Sequence, residues 1–476
     1  MLAVILFFGL VLRLISINQS LWLDEAINLW AVKNLSFKTL AINYPIGDFH
    51  PPLYHLILKV WVNIFGATEI AARSPSIVLG VLSIIIVFLI TRKLFETKTA
   101  LIASTLVATG PLHIYYSQEA RMYMLASFLA LLSIYFFISL LRNDKLIYWV
   151  GFVVSTVLLL YTDYLPYLLL PTFIAYLFLN KSHIKNSTFK TFFPSFILIG
   201  IFTAPWIYVF KNQLTSGLSL AAASPAWANV VGGSSLKDLA LVFIKFNIGR
   251  ISHTNDFAYF LMFAPVGFFS LLLLGISFFR ASHFRIFLWF WLLIPVIAAF
   301  VISFVVPVFA YFRLIFLLPA FYILWASAIN TVNYKPLTRT LLFLALTINL
   351  FTSGIYFLNP KFQREDWKSA SNFVKANSTE KTVVLFLSSF IPPPFEYYNK
   401  GEVKALGALS TFSSVNVKPS ESLDVLDNSK KVFLFQYLYQ ITDPDGLIFM
   451  EITKKGFTNT STKDFQGIGF IYEFTK

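Results

Sequence analysis

The chain has no cysteine among its 476 residues, which excludes disulfide staples, thiolate nucleophiles and cysteine-held metals. Charge is scarce as well. Only 13% of residues are Asp, Glu, Lys or Arg, against 57% hydrophobic, and the mean hydropathy is +0.71. That balance does not suit a soluble domain. Acids are the scarcest of all, with ten before residue 359. No basic stripe with stacking aromatics lies on a soluble face, so a nucleic-acid partner is excluded. A basic leader and a small-residue cleavage site are also missing, so the first apolar run reads as a retained helix.

Apolar runs of about 17–25 residues with 53 Phe across the chain read as transmembrane helices. The expected spans are 2–18, 70–91, 99–112, 119–141, 146–161, 164–180, 192–210, 257–279, 285–306, 309–330 and 338–358. One set of short loops carries twelve Lys or Arg, from Arg92 and Lys93 through Lys185 to Arg339, with only Glu96 and Asp144 as acids. By the positive-inside rule these loops are cytoplasmic. The other side then receives the loops 19–69 and 211–256, everything after 358, and eight of the ten acids. The net charge of +14 is mostly this topology signal. The reading is a multi-pass protein of the plasma (inner) membrane whose chemistry faces outward.

After residue 358 the charges balance, with 14 Lys or Arg against 13 Asp or Glu in residues 360–476. A helix pattern of Trp367, Ala370 and Val374 precedes strand-like runs at 383–387, 432–438 and 467–474, with a helix near 446–455. The expected organisation is a membrane domain, residues 1–358, and a small extracytoplasmic α/β domain, residues 359–476.

The adjacent acids Asp24 and Glu25 follow the first span in LWLDEA. Carboxylates beside a bilayer are costly, and one could serve as general base toward a substrate hydroxyl. The alternative is that they are first-turn acids favoured by a helix N-terminus. Asp24 and Asn28 share a face at i, i+4. Further on, HPPLYHLILKVWVNIFG at 50–66 starts with Pro51 suited to a first helical position and carries His55, Lys59 and Asn63 as a polar stripe. Both segments read as helices lying at the outer interface, with Asp48 and His50 at the turn between them. His50 is either a structural hydrogen-bonder or part of a site with the neighbouring carboxylates.

YYSQEARMYM, residues 115–124, opens the fourth span. Ser117 suits an N-cap and Glu119 a first-turn acid. Arg121 in the same turn opposes the helix dipole, unless an anion binds there or the side chain snorkels to headgroups. Arg313, in PVFAYFRLIF, poses the same question. Two outer Arg and Lys59 around a carboxylate cluster suggest an anionic substrate with a reacting hydroxyl. A divalent metal through Asp48, His50 or Glu119 is left open, because their spacing has no ligand signature.

These segments resemble the GT-C glycosyltransferases, in particular the group of protein O-mannosyltransferases and the bacterial aminoarabinose transferase of lipid A. The resemblance rests on LWLDEA, HPPLYHL, GATEIAARSPSIVLG, YYSQEARMYMLASF and the QREDWKSA junction at 363–370. It covers most of 10–125 and recurs near 305–320 and 360–370. It implies a polytopic enzyme of about eleven transmembrane helices that takes a sugar from a polyprenyl-phosphate donor in the bilayer. The sugar goes to a hydroxyl acceptor on a lipid, glycan or protein. Carried over by motif, Asp24 is the base and Glu25 its acidic partner, while Arg121 and Arg313 are implied phosphate contacts. The O-mannosyltransferases insert a β-trefoil domain that the loop 211–256 is too short to hold, which disfavours protein O-mannosylation.

In the implied chemistry, departure of the lipid phosphate is stabilised by preplaced cations or a divalent metal, while Asp24 takes the acceptor proton in a single inverting displacement. The rival is a transporter or flippase of lipid-linked sugars. Such proteins place ionisable groups at mid-membrane on repeated, discontinuous helices, and neither feature is visible in this chain.

Overall fold

A computed structural model describes residues 1–183, 186–223, 232–280, 282–411 and 417–476. Lys185 and part of the loop 211–256 lie outside the described residues. Two compact units emerge, one built mainly from Met1–Ile17, Leu35–Thr215 and Val231–Leu358, the other mainly from Asn18–Asn34 and Asn359–Lys476.

The first unit is helical. Among the described residues, seven helices are long and apolar enough to cross a membrane: Glu69–Leu94, Tyr123–Arg142, Phe189–Ser219, Asp256–Phe279, His283–Ile302, Tyr311–Thr331 and Lys335–Leu358. Leu2–Leu14, Leu53–Phe65, Leu146–Leu160 and Leu165–Leu179 are apolar but shorter. At 1.5 Å per residue a 13-residue helix such as Leu2–Leu14 is about 20 Å long, less than the ~30 Å hydrocarbon thickness. The run at 99–112 divides into Thr97–Thr109 and a short helix Pro111–Ser117, because Gly110 is extended and Pro111 restarts the helix. Nine residues of Thr97–Thr109 are buried, so it is an internal element rather than a lipid-facing crossing. The run at 309–330 likewise begins as a 3₁₀ turn, Tyr311–Leu317, before the α-helix Leu318–Thr331.

A buried cation ties this unit together. The Arg13 guanidinium donates to the Gly9 carbonyl at 2.7 Å, the Ala108 carbonyl at 3.0 Å and Ser117 Oγ at 3.1 Å, and meets His113 Nδ1 at 2.7 Å. Gly80 makes room for it, since a Cβ there would stand 2.3 Å from Ser117 Oγ and 3.2 Å from Arg13 Nε. At one end of the unit Arg142 donates to the Lys93 carbonyl, Arg285 donates to Thr331 Oγ1 at 2.7 Å, and Asn330 donates to Glu96.

The second unit contains a five-stranded sheet: β1 (Thr382–Phe386), β2 (Lys404–Gly407), β3 (Lys431–Phe435), β4 (Thr458–Phe465) and β5 (Gly469–Thr475), in the order β2-β1-β3-β5-β4. β2, β1 and β3 are parallel, and β5 pairs antiparallel with β3 and β4. Period-two alternation sends Val384, Phe386, Phe433 and Phe435 to one face with Trp367, Ala370 and Val374. Val383, Leu385, Val432 and Leu434 go to the other face with Leu426, Ile448 and Ile452. Burial on both faces explains why these strands read as unbroken apolar runs. β4 is a polar, exposed edge strand without that signal.

The helix Leu23–Asn34 belongs to this second unit. The stretch before it is stitched to the tail: the Arg364 N–H donates to Gln19 Oε1 at 3.1 Å, the Lys368 N–H to Ser20 Oγ at 3.1 Å, and the Leu21 N–H to Tyr398 Oη at 2.9 Å. Leu23 packs against the cluster around Trp367.

Candidate active site

In the second unit, Asp24 and Glu25 fall in the first turn of Leu23–Asn34. Asp24 is partly buried, whereas Glu25, Asn28 and Leu29 are buried. The residue before Asp24 meets a group that sequence reasoning did not single out. The Leu23 N–H donates to Glu365 Oε2 at 3.2 Å, Trp367 Nε1 donates to the same oxygen at 2.7 Å, and Tyr437 Oη donates to Oε1 at 3.0 Å. Burial pushes the Glu365 carboxyl up to about 7; the hydrogen bonds from Trp367, Tyr437 and Leu23 oppose that rise, and the charge of Asp24 adds to it. Beside this group a small, shallow cleft is lined by Leu23, Phe386, Ser388, Phe390, Pro392, Tyr437 and Leu438.

In the first unit, the chain between the two helices expected in the 19–69 loop is not a plain break but two short helices, Phe37–Ile42 and Tyr44–Asp48. Phe49 takes a left-handed φ of 62°, which folds His50 back onto the carboxylate of Asp48. His50 Nδ1 lies 3.2 Å and His55 Nε2 3.7 Å from Asp48 Oδ2. Burial would raise the Asp48 carboxyl, but His55 and His50, with Arg121 behind them, hold it well below the usual carboxylate range. The helix begins at Leu53 with Pro52 as its N-cap, two residues later than Pro51 implied. The expected polar stripe divides: His55 is buried toward Asp48, Lys59 lies over the Phe37 ring at 5.4 Å, and Asn63 is exposed.

Ser117 is not an N-cap. It ends the helix Pro111–Ser117 and its hydroxyl donates to the His113 carbonyl at 2.6 Å, while the next helix starts at Tyr123. Glu119 and Arg121 therefore sit in the turn between helices. That turn is pinned from outside: Ser76 Oγ donates to the Glu119 carbonyl at 2.6 Å, and the Gln118 amide donates to the Ile15 and Arg13 carbonyls. Both Glu119 and Arg121 are buried.

Asp163, at the end of Leu146–Leu160, links the two expected arginines. Burial raises its carboxyl, and the charges of His50, Arg313 and Arg121 oppose that rise. The structure thus gathers His50, Arg121 and Arg313 around Asp48 and Asp163. Arg313 Nη1 donates to the Val308 carbonyl at 3.4 Å. Two further cations come from the loop 211–256. The Arg250 guanidinium lies 5.1 Å over the Tyr115 ring and donates to Tyr116 Oη at 3.4 Å. Lys245 is buried, with Nζ donating to Ser252 Oγ at 2.8 Å and lying over the rings of Tyr259 and Tyr311. Burial first, and then Arg250, push its ammonium down to about 7. Their signal in the sequence was two cations in a loop of the acid-bearing set.

This clustering stabilises anionic groups: charge-assisted donors concentrate where water is scarce, so they act at low effective dielectric. Among the described residues, no group of three or more His, Asp or Glu is arranged to hold a metal ion.

Comparisons with known proteins agree with this architecture. Residues 49–209 match the family model described as dolichyl-phosphate-mannose-protein mannosyltransferase. An uncharacterized protein of Aquifex aeolicus (strain VF5) is 26% identical over 145 residues, 30% of this chain and 29% of that protein. The fold is similar to ArnT from Cupriavidus metallidurans in the apo state, with a TM-score of 0.60, 12% identity, and coverage of 99% of this chain and 97% of that one. It is also similar to the archaeal oligosaccharyltransferase AglB from Archaeoglobus fulgidus, solved with an inhibitory peptide and a dolichol-phosphate, with a TM-score of 0.55, 14% identity, and coverage of 91% and 69%. The family-model match runs through the His50, Glu119 and Arg121 segments, and the fold similarity to ArnT and AglB extends over nearly the whole chain.

Proposed function

We propose that the protein transfers a sugar from a polyprenyl-phosphate donor to a hydroxyl acceptor at the extracytoplasmic face of the membrane, with inversion at C1. The observation that carries this reading is the concentration of Arg121, Arg313, Arg250 and Lys245 beside Asp48, Asp163 and Glu119 within a GT-C fold. ArnT has also been solved bound to undecaprenyl phosphate, and that structure matches this chain with a TM-score of 0.58 at 12% identity.

The lipid tail stays in the bilayer while its phosphate and sugar reach the polar end of the helices. The acceptor oxygen attacks C1, the bond from C1 to the phosphate oxygen breaks, and the lipid phosphate leaves with the electron pair. Arg121 and Arg313 stabilise the charge that develops on it, because fixed donors reorganise little during the step. Asp24 takes the acceptor proton, and Glu25 supports it. His50 and Glu119 orient the sugar, and Lys59 adds positive charge along the first loop.

The test is release of polyprenyl phosphate and sugar transfer by purified protein in nanodiscs, given synthetic polyprenyl-phosphate sugars and hydroxyl acceptors. Asp24→Asn keeps size but removes basicity, so turnover falls by roughly 10²–10⁴-fold while the protein still inserts. Undiminished turnover in that variant dismisses Asp24 as the base. Failure of wild-type protein with every polyprenyl-phosphate sugar dismisses the donor class.

A further inference from the structure

The tail sheet has the geometry of a ligand-binding α/β fold. β1 leads to β2 on one side of it, while β3 leads to the antiparallel edge on the other. Loops leaving two adjacent parallel strands in opposite directions open a crevice at their carboxyl ends, where such folds hold ligands. Here that crevice is the cleft lined by Phe386, Ser388 and Phe390 after β1 and by Tyr437 and Leu438 after β3. Its remaining walls are Pro392 and, from the helix Leu23–Asn34, Leu23.

Glu365 closes the join. Its two oxygens receive three donors from three places: the helix Leu23–Asn34 through the Leu23 N–H, its own segment through Trp367 Nε1, and the chain just after β3 through Tyr437 Oη. The turn between β4 and β5 presses on it from behind, since a Cβ at Gly467 would stand 2.9 Å from Glu365 Cγ. The segment is further registered by the Asp366 N–H donating to the Gln466 carbonyl at 2.9 Å, while Asp366 Oδ1 caps the next helix at the Ser369 N–H. A carboxylate accepts only, and three donors suit it fully.

We propose that Glu365 is the positioning residue of the reaction, its carboxylate anchoring the Leu23 N–H and so fixing the first turn that carries Asp24. The tail domain then acts as a clamp on the catalytic segment, using its ligand crevice for a part of its own chain. This rests on the role given to Asp24 above. The titratable groups whose charges act on Glu365 are Asp24, from the helix Leu23–Asn34, and Tyr437, just after β3. Protonated Glu365 has a hydrogen to place among three donors, so one of them turns away and the clamp loosens as pH falls.

Two measurements on the full-length protein decide this. Hydrogen exchange of Glu365→Gln is read on peptides covering residues 19–26, with peptides from β1 and β3 as the folding control. Exchange in 19–26 rises several-fold while β1 and β3 stay protected; equal exchange in 19–26 overturns the proposal. Should Glu365→Gln lose protection throughout, Tyr437→Phe, which removes one donor and no charge, is read in the same way. In sugar transfer, Tyr437→Phe moves the acid limb of kcat to higher pH, because a carboxylate with fewer donors holds its proton longer, and leaves the donor KM unchanged. An unmoved limb overturns the proposal. If the wild type transfers no sugar, the functional reading falls, and the exchange result alone decides whether Glu365 anchors residues 19–26.

Discussion

Replacing Glu365 by Gln should flatten the pH dependence of the tail unit's stability. Burial raises this carboxyl from 4.5 to about 7 in the folded chain. A group raised on folding contributes stability that is complete below its unfolded value and is lost as pH rises through the folded one. At 1.36 kcal/mol per pH unit, the displacement corresponds to about 3 kcal/mol in total, and to roughly 2–3 kcal/mol between pH 5 and pH 8. Glu365 is half-buried, so solvent screening makes that figure an upper value. Gln keeps the shape and an acceptor oxygen but has no titration. Pulse proteolysis of full-length protein in urea, following cleavage in 359–476 at pH 5 and pH 8, reads the difference directly. The wild type loses up to about 2–3 kcal/mol more than the variant between these conditions. Equal losses refute the reasoning, because they require a Glu365 that titrates alike in the folded and unfolded chain.

Arg121→Lys and Arg313→Lys each raise the donor KM yet retain more activity than the Ala variants, since the charge survives but the bidentate fork is lost; equal behaviour of Lys and Ala variants removes these residues from phosphate binding. Gly80→Ala costs about 1–3 kcal/mol, because its Cβ would sit 2.3 Å from Ser117 Oγ in the packing around Arg13, and a thermal melt in detergent with an unchanged midpoint contradicts this.

Composition and periodicity alone determined that the chain is a polytopic helical protein with a small α/β tail, because burial in lipid or in a sheet covered on both faces leaves a dense apolar signature. They also determined the acids and arginines worth attention, since charge beside a bilayer is rare enough to stand out. The edge strand β4 was invisible because a polar, solvent-facing strand carries no alternation. The turn holding Glu119 and Arg121 reads locally as a helix start, and the fold overrides that signal. Its course is set by Ser76, Arg13 and Ile15, residues distant in sequence whose hydrogen bonds to Glu119, Ser117 and Gln118 outweigh the local preference of Ser117 for a cap. Arg250 and Lys245 acquired their meaning only from Tyr115, Tyr259 and Tyr311, aromatic neighbours brought by three other segments. Glu365 shows the division most clearly. Its sequence neighbours mark a junction, but its raised carboxyl and its hold on Leu23 come from burial and from donors 342 and 72 residues away along the chain, and only tertiary structure sets those.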